Sequence, residues 1–220
     1  DITERKRAER RQTLMMRELD HRVKNTLSSV IAIARETVKA SPSLAEFETK
    51  FVGRMVSLAK TYTVLADNRW EGVELSELVR QALEPYRRAD ADRVTHDGPP
   101  VMLHADCASP LCMSLHELAT NAAKYGALAS PEGRLQVKWD FIDPLRVRMH
   151  WRETGVNCGP PNQDAGFGTR FIKGVFSHEL GGSAQLDFTD DGLVAQLEFI
   201  TTSKHNAPND RYEAPEEVED

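Results

Sequence analysis

Long apolar runs, paired cysteines and a surplus of basic residues are all missing from this 220-residue chain, and each absence removes a class of function. No stretch approaches the roughly 18 consecutive apolar residues that span a bilayer. No basic start followed by an apolar segment reads as a signal peptide. The three cysteines, Cys107, Cys112 and Cys158, are an odd number without a C-x-x-C pair. That fits neither a zinc site nor a disulfide framework and suits a reducing cytoplasm. The net charge of −6 leaves no basic stripe for bulk nucleic-acid binding. The acidic excess gathers in residues 203–220, which end on Glu216, Glu217, Glu219 and Asp220 with almost no apolar residue, so this tail is expected to be disordered. The chain opens on charged residues without a methionine, which reads as a piece of a longer protein.

What is present divides into two parts. From about Thr3 to Ala40, apolar residues Leu19, Val23, Leu27, Val30, Ala34 and Val38 recur at threes and fours and predict one long helix. Ser41-Pro42-Ser43 breaks it. Ser43 with Glu46 three residues on is a capping-box signature for a second helix carrying Leu44, Phe47, Phe51, Met55, Leu58, Tyr62 and Leu65. Two such helices make a hairpin whose apolar stripe needs a second hairpin or a neighbouring domain to cover it. After a linker at Asp67–Gly72, helices are expected at about Leu75–Arg88, Pro110–Tyr125 and Thr169–Glu179. Strands are expected at Val101–Leu103, Leu135–Ile142, Leu145–Arg152, Ala184–Phe188 and Leu193–Ile200, with Asp190-Asp191-Gly192 as a hairpin turn. The second part is therefore α+β, with helices on one face of a mostly antiparallel sheet.

The segment Leu115-His116-Glu117-Leu118-Ala119-Thr120-Asn121-Ala122-Ala123-Lys124-Tyr125-Gly126 is chemically the sharpest. At 3.6 residues per turn Leu111, Leu115, Leu118 and Ala122 share one face, and Glu117, Asn121 and Lys124 another. A carboxylate, an amide oxygen and an ammonium over two turns suit a triphosphate with Mg²⁺, which takes oxygen ligands. By spacing alone, a solvated polar face fits equally well.

This string resembles the N box of the ATP-binding domain shared by histidine kinases, gyrase and the heat-shock chaperones of the GHKL superfamily. His116 before Glu117, with Trp151-Arg152-Glu153 further on, resembles the HWE subgroup of histidine kinases. The resemblance runs to about Thr202. It implies a helical hairpin for dimerisation and phosphotransfer over residues 1–68, a Bergerat-type α/β sandwich over 69–202 and the tail beyond. It implies ATP and Mg²⁺ as cofactors, with Asn121 and Glu117 as metal ligands and Lys124 and Tyr125 beside the nucleotide. Glu153-Thr154-Gly155 stands where the superfamily has a D-x-G motif, which implies that Glu153 accepts a hydrogen bond from the adenine amino group and that Gly155 lets the backbone approach the base. Val156 stands where the subgroup usually has a second glycine. Trp151 reads as a core aromatic. Gly166-Phe167-Gly168-Thr169 opens a helix whose N-terminal N–H groups suit phosphate. It resembles the second glycine box, so Gly166, Gly168 and Thr169 are expected to line the triphosphate, with a short lid between Gly155 and Gly166.

Asp20-His21-Arg22-Val23-Lys24-Asn25 resembles the phosphoacceptor box of these kinases. On a helical wheel His21 falls opposite the Leu19/Val23/Val30 seam, as a reachable nucleophile must. Without the resemblance it would read as an ordinary solvent-facing histidine. The family pattern implies that Asp20 orients the ring, that Asn25 positions water for dephosphorylation, and that the phosphoryl group passes to an aspartate of a response-regulator receiver domain. The opening Asp1–Glu9 resembles the exit of a PAS-type sensor domain. A homodimer through the hairpin is expected. Two rival readings stand beside the kinase: an ATPase of the same superfamily without a phosphoacceptor, and a pseudokinase scaffold whose nucleotide site has lapsed.

Overall fold

The computed structural model describes residues 16, 23–24, 26–28, 30–35, 37–39, 41–67, 72–86, 93–156 and 167–202. The expected linker residues 68–71, the loop 157–166, the tail 203–220 and the opening segment lie outside the described residues. The chain forms two compact units, Asp1–Val56 and Ser57–Asp220. Among the described residues no helix is long and apolar enough to cross a membrane.

In the first unit the described residues between 16 and 39 are helical and constitute α1. Helix α2 (Leu44–Asp67), which starts in this unit and continues past its end at Val56, begins where the capping signature places it, with the Glu46 N–H donating to Ser43 Oγ at 3.2 Å. The Glu46 carboxylate turns to Lys50 instead, at 2.6 Å. The helices meet through polar atoms: Arg54 Nη1 donates to Thr37 Oγ1 at 2.6 Å, and both residues are buried. The stripe expected to seek cover is the open side of α1, with Val23, Leu27 and Val38 exposed, while Ile33 and Thr37 are buried.

The second unit contains a five-stranded sheet in the order β2-β4-β5-β7-β6, formed by β2 (Val94–Asp97), β4 (Arg134–Asp143), β5 (Arg146–Thr154), β6 (Ser183–Thr189) and β7 (Gly192–Ile200). Only β2 runs parallel to its neighbour; the other pairs are antiparallel. A separate two-stranded ladder joins β1 (Val73–Glu74) to β3 (Met102–Leu103). The strands alternate as half-covered strands must. Leu135, Val137 and Trp139 of β4, Val147, Met149 and Trp151 of β5, and Leu193, Ala195, Leu197 and Phe199 of β7 are buried. Helices α3 (Leu75–Leu83), α4 (Ala105–Tyr125) and α5 (Phe167–His178) pack side by side, and the Phe176 and Phe199 rings meet edge-on at 6.1 Å between α5 and β7.

Three local differences from the sequence expectation have physical causes. Helix α3 gives way to a 3-10 turn at Glu84–Tyr86, because Pro85 has no N–H to continue it. Helix α4 starts at Ala105, five residues before Pro110, with His104 Nδ1 accepting from the Asp106 N–H at 3.4 Å. The proline that reads as a helix start is tolerated inside the second turn. Strand β2 is unanticipated because it is short and pairs with residues 41 positions away. Its exit is fixed by Trp139, whose indole N–H donates to the Pro99 carbonyl at 2.8 Å and whose ring leaves no room for a Cβ on Gly98.

Cys107 is buried, which pushes its thiol up to about 12, so it packs as a small apolar side chain and offers no thiolate. Leu118 is 1% exposed at the centre of the α4 core face. Leu118→Ala is expected to cost about 3 kcal/mol, read as a lower urea midpoint with an unchanged denaturant slope.

Candidate nucleotide site

The polar stripe follows from the packing of α4. With Leu111, Leu115, Leu118 and Ala122 at most 1% exposed, the rotation of the helix is fixed. Glu117 and Asn121 are then half-buried and Lys124 exposed. Tyr125, at 74% exposure, stands at the open end. His116 is half-buried beside Glu117.

Helix α5 brings its first residues against this stripe. A Cβ added to Gly168 would stand 2.9 Å from Asn121 Nδ2 and 3.1 Å from Glu117 Oε1. Glycine at this position thus lets a helix start approach a carboxylate and an amide closely. The start of a helix, the Glu117 carboxylate and the Asn121 amide come together there, groups that suit a phosphate chain with a hard cation. Thr169 is half-buried next to Gly168. Among the described residues no group of three or more His, Cys, Asp or Glu is placed to hold a metal. Glu117 and Asn121 offer a carboxylate and an amide, oxygen donors of the kind that Mg²⁺ takes alongside water and phosphate.

The end of β5 departs from the sequence expectation. Glu153, expected to face the adenine amino group, is 2% exposed. Its Oε1 accepts the Trp151 indole N–H at 2.9 Å, and its Oε2 accepts the Ala127 N–H at 2.8 Å. Burial raises its carboxyl above the usual range, against these two hydrogen bonds, which lower it. Both carboxylate oxygens are thus engaged within the fold. Trp151 is a core aromatic, 0% exposed, as expected. Gly155 takes φ +75°, a conformation L side chains rarely adopt.

The structure thus brings Glu117, Asn121 and Gly168 together with Thr169 next in sequence, keeps Lys124 and Tyr125 at the end of the same helix, and sets the Glu153 carboxylate against the residues that close that helix. His21, Asp20, Asn25 and Gly166 lie outside the described residues. Two residues escaped the sequence reading. Asp191, which reads only as a turn former, accepts the Gly155 N–H on Oδ1 at 3.0 Å and the Val156 N–H on its carbonyl at 3.2 Å. Arg93 donates to the carbonyls of Gly133 and Ala127 at 2.9 and 3.3 Å and to that of Ser130. No local sequence pattern signals either contact.

Residues 18–100 match the family model described as HWE histidine kinase. The chain is 32% identical over 200 residues to the blue-light-activated histidine kinase of Brucella anthropi, covering 90% of this chain and 41% of that protein. It is 29% identical over 221 residues to the protein of the same description in Brucella ovis, covering 96% and 45%. The chain thus spans less than half the length of these curated relatives. Among solved structures, the Erythrobacter litoralis blue-light activated histidine kinase superposes with a TM-score of 0.60 at 15% identity, over 84% of this chain and 60% of that one. That likeness is one of fold.

The Asp191 contact yields a measurement. Asp191→Ala is expected to speed amide hydrogen exchange at Gly155 by roughly tenfold, the worth of one modest hydrogen bond, while Asp191→Asn keeps the acceptor and leaves the rate near the original.

Proposed function

The chain belongs to the HWE histidine kinase family, and from that membership we propose that it binds Mg-ATP along α4 and the start of α5 and phosphorylates its own His21. The observation that supports this reading is the approach of Gly168 to Asn121 and Glu117, a phosphate-suited helix start against an amide and a carboxylate. Glu117 and Asn121 would hold Mg²⁺, which supplies charge neutralisation at the phosphates. Lys124 offers its ammonium to the same charge, Tyr125 borders the nucleotide, and Gly166, Gly168 and Thr169 supply N–H groups. Gly155 lets the backbone come close to the base.

In the reaction, the unprotonated nitrogen of a neutral His21 attacks the γ-phosphorus. A phosphorus–nitrogen bond forms, the bond to the bridging oxygen breaks, and ADP leaves. Positioning does most of the work. Asp20 orients the imidazole, and Asn25 positions water for dephosphorylating the partner receiver domain.

The same reading assigns residues 1–68 to a hairpin for dimerisation and phosphotransfer, 69–202 to the ATP-binding domain and 203–220 to a tail. It makes a response-regulator receiver domain the acceptor of the phosphoryl group, a PAS-type sensor the preceding module, the hairpin the seat of a homodimer and the cytoplasm its setting. The exposed Val23, Leu27, Ile31 and Val38 support the homodimer.

Incubation with γ-labelled ATP and Mg²⁺ tests the reaction. Alkali-stable, acid-labile label is expected on the unaltered chain and on neither His21→Ala nor Asn121→Ala. Label persisting on His21→Ala overturns the assignment of the acceptor, and release of free phosphate alone favours the ATPase. Gly168→Ala, which crowds Asn121 and Glu117, is expected to weaken Mg-ATP binding by about tenfold in a calorimetric titration, a loss equivalent to one charge-assisted contact.

A further inference from the structure

Glu153 occupies a place where the sheet otherwise puts apolar side chains. The inward row of β5 reads Val147, Met149, Trp151 and Glu153, and the register sets Glu153 opposite the buried Leu135. An isolated carboxylate there is costly unless its oxygens are satisfied. Both are, by the Trp151 indole and the Ala127 amide. The neighbouring backbone is shaped to admit it. Gly126 closes α4, and a Cβ on it would collide with Glu153 Oε2.

Ala127 is held from both sides. Its N–H goes to the Glu153 carboxylate, and its carbonyl accepts from the Arg93 guanidinium, which also takes the carbonyls of Ser130 and Gly133. The segment following α4 is therefore gripped by an anion on β5 and a cation at the start of β2. Two residues after Glu153 stands Gly155, whose space is bounded by the Glu132 carbonyl of that same segment, 2.7 Å from where a Cβ would lie.

We propose that Glu153 is a positioning residue of the nucleotide site: its carboxylate ties the C-terminal end of α4, at Gly126 and Ala127, to the end of β5, and so sets the spacing between the Asn121 stripe and the Gly155 loop. This rests on the reading of that site as an Mg-ATP site, and it replaces direct recognition of the adenine amino group by Glu153. The carboxylate is suited to the role because both of its oxygens accept. A glutamine of the same shape has one acceptor and one donor, so it sets an N–H against an N–H.

The test compares Mg-ATP with Mg-inosine triphosphate, which lacks the adenine amino group, by calorimetric titration of the full chain. Glu153→Gln is expected to raise both dissociation constants equally, by about tenfold, at a temperature where melting curves show the variant folded. Adding Trp151→Phe removes the indole donor that the glutamine amide opposes. The double variant is expected to regain much of the lost affinity, a coupling that independent effects would not produce. Should Glu153→Gln not fold, Trp151→Phe alone carries the test, with an equal rise of about threefold for both nucleotides. A loss confined to ATP would mean direct contact with the base and overturn the proposal. A lower melting temperature with unchanged affinities would overturn it in favour of a purely structural role. Failure of the unaltered chain to bind either nucleotide would overturn the Mg-ATP reading itself, and the proposal with it.

Discussion

The burial of one face of α4 is the constraint on which the second unit depends. Leu111, Leu115, Leu118 and Ala122 fix the helix against the core, and with 100° per residue they fix every other side chain on it. A rotation by a single residue would carry Asn121 toward the core, where an amide without partners costs on the order of 1–3 kcal/mol. The direction of the Glu117/Asn121 stripe is thus a by-product of apolar packing. Helix α5 is held against the sheet by Ile172, Val175 and Phe176, all nearly inaccessible, and its first turn can then reach Asn121 only because Gly168 has no side chain. Two packing faces and one missing Cβ thus bring the start of α5 against the polar stripe of α4.

Local periodicity made much of this fold legible. The alternation in β4, β5 and β7 and the threes and fours of α4 are patterns of adjacent residues, and the strands and the core face lie where those patterns put them. The misreadings share a different origin. Pro110 has the right chemistry for a helix start, yet the helix begins at Ala105, because Ala105, Cys107 and Ala108 have burial to gain by extending it. The parallel strand β2 and the β1–β3 ladder depend on partners far along the chain, which no short window contains.

The candidate site shows the same division. Glu117 and Asn121 were readable because helical spacing alone sets them side by side. Glu153 was readable as a functional position but not as a buried one, since its partners are an amide 26 residues earlier and an indole two residues back. Arg93 and Asp191 work through backbone groups, and backbone groups carry no sequence signature. The surroundings of Gly155 are therefore built by contacts between segments distant in sequence, the class of interaction that sequence reveals least.

The first unit poses a different physical question. Val23, Leu27, Ile31 and Val38 are each about half exposed or more, and on one helix they fall within an arc of roughly 80°. Val52 and Val56 of α2 are similarly open. Covering a side chain of this kind is worth about 1.5–3 kcal/mol, so a continuous stripe of them is a substantial driving force for association with a like surface.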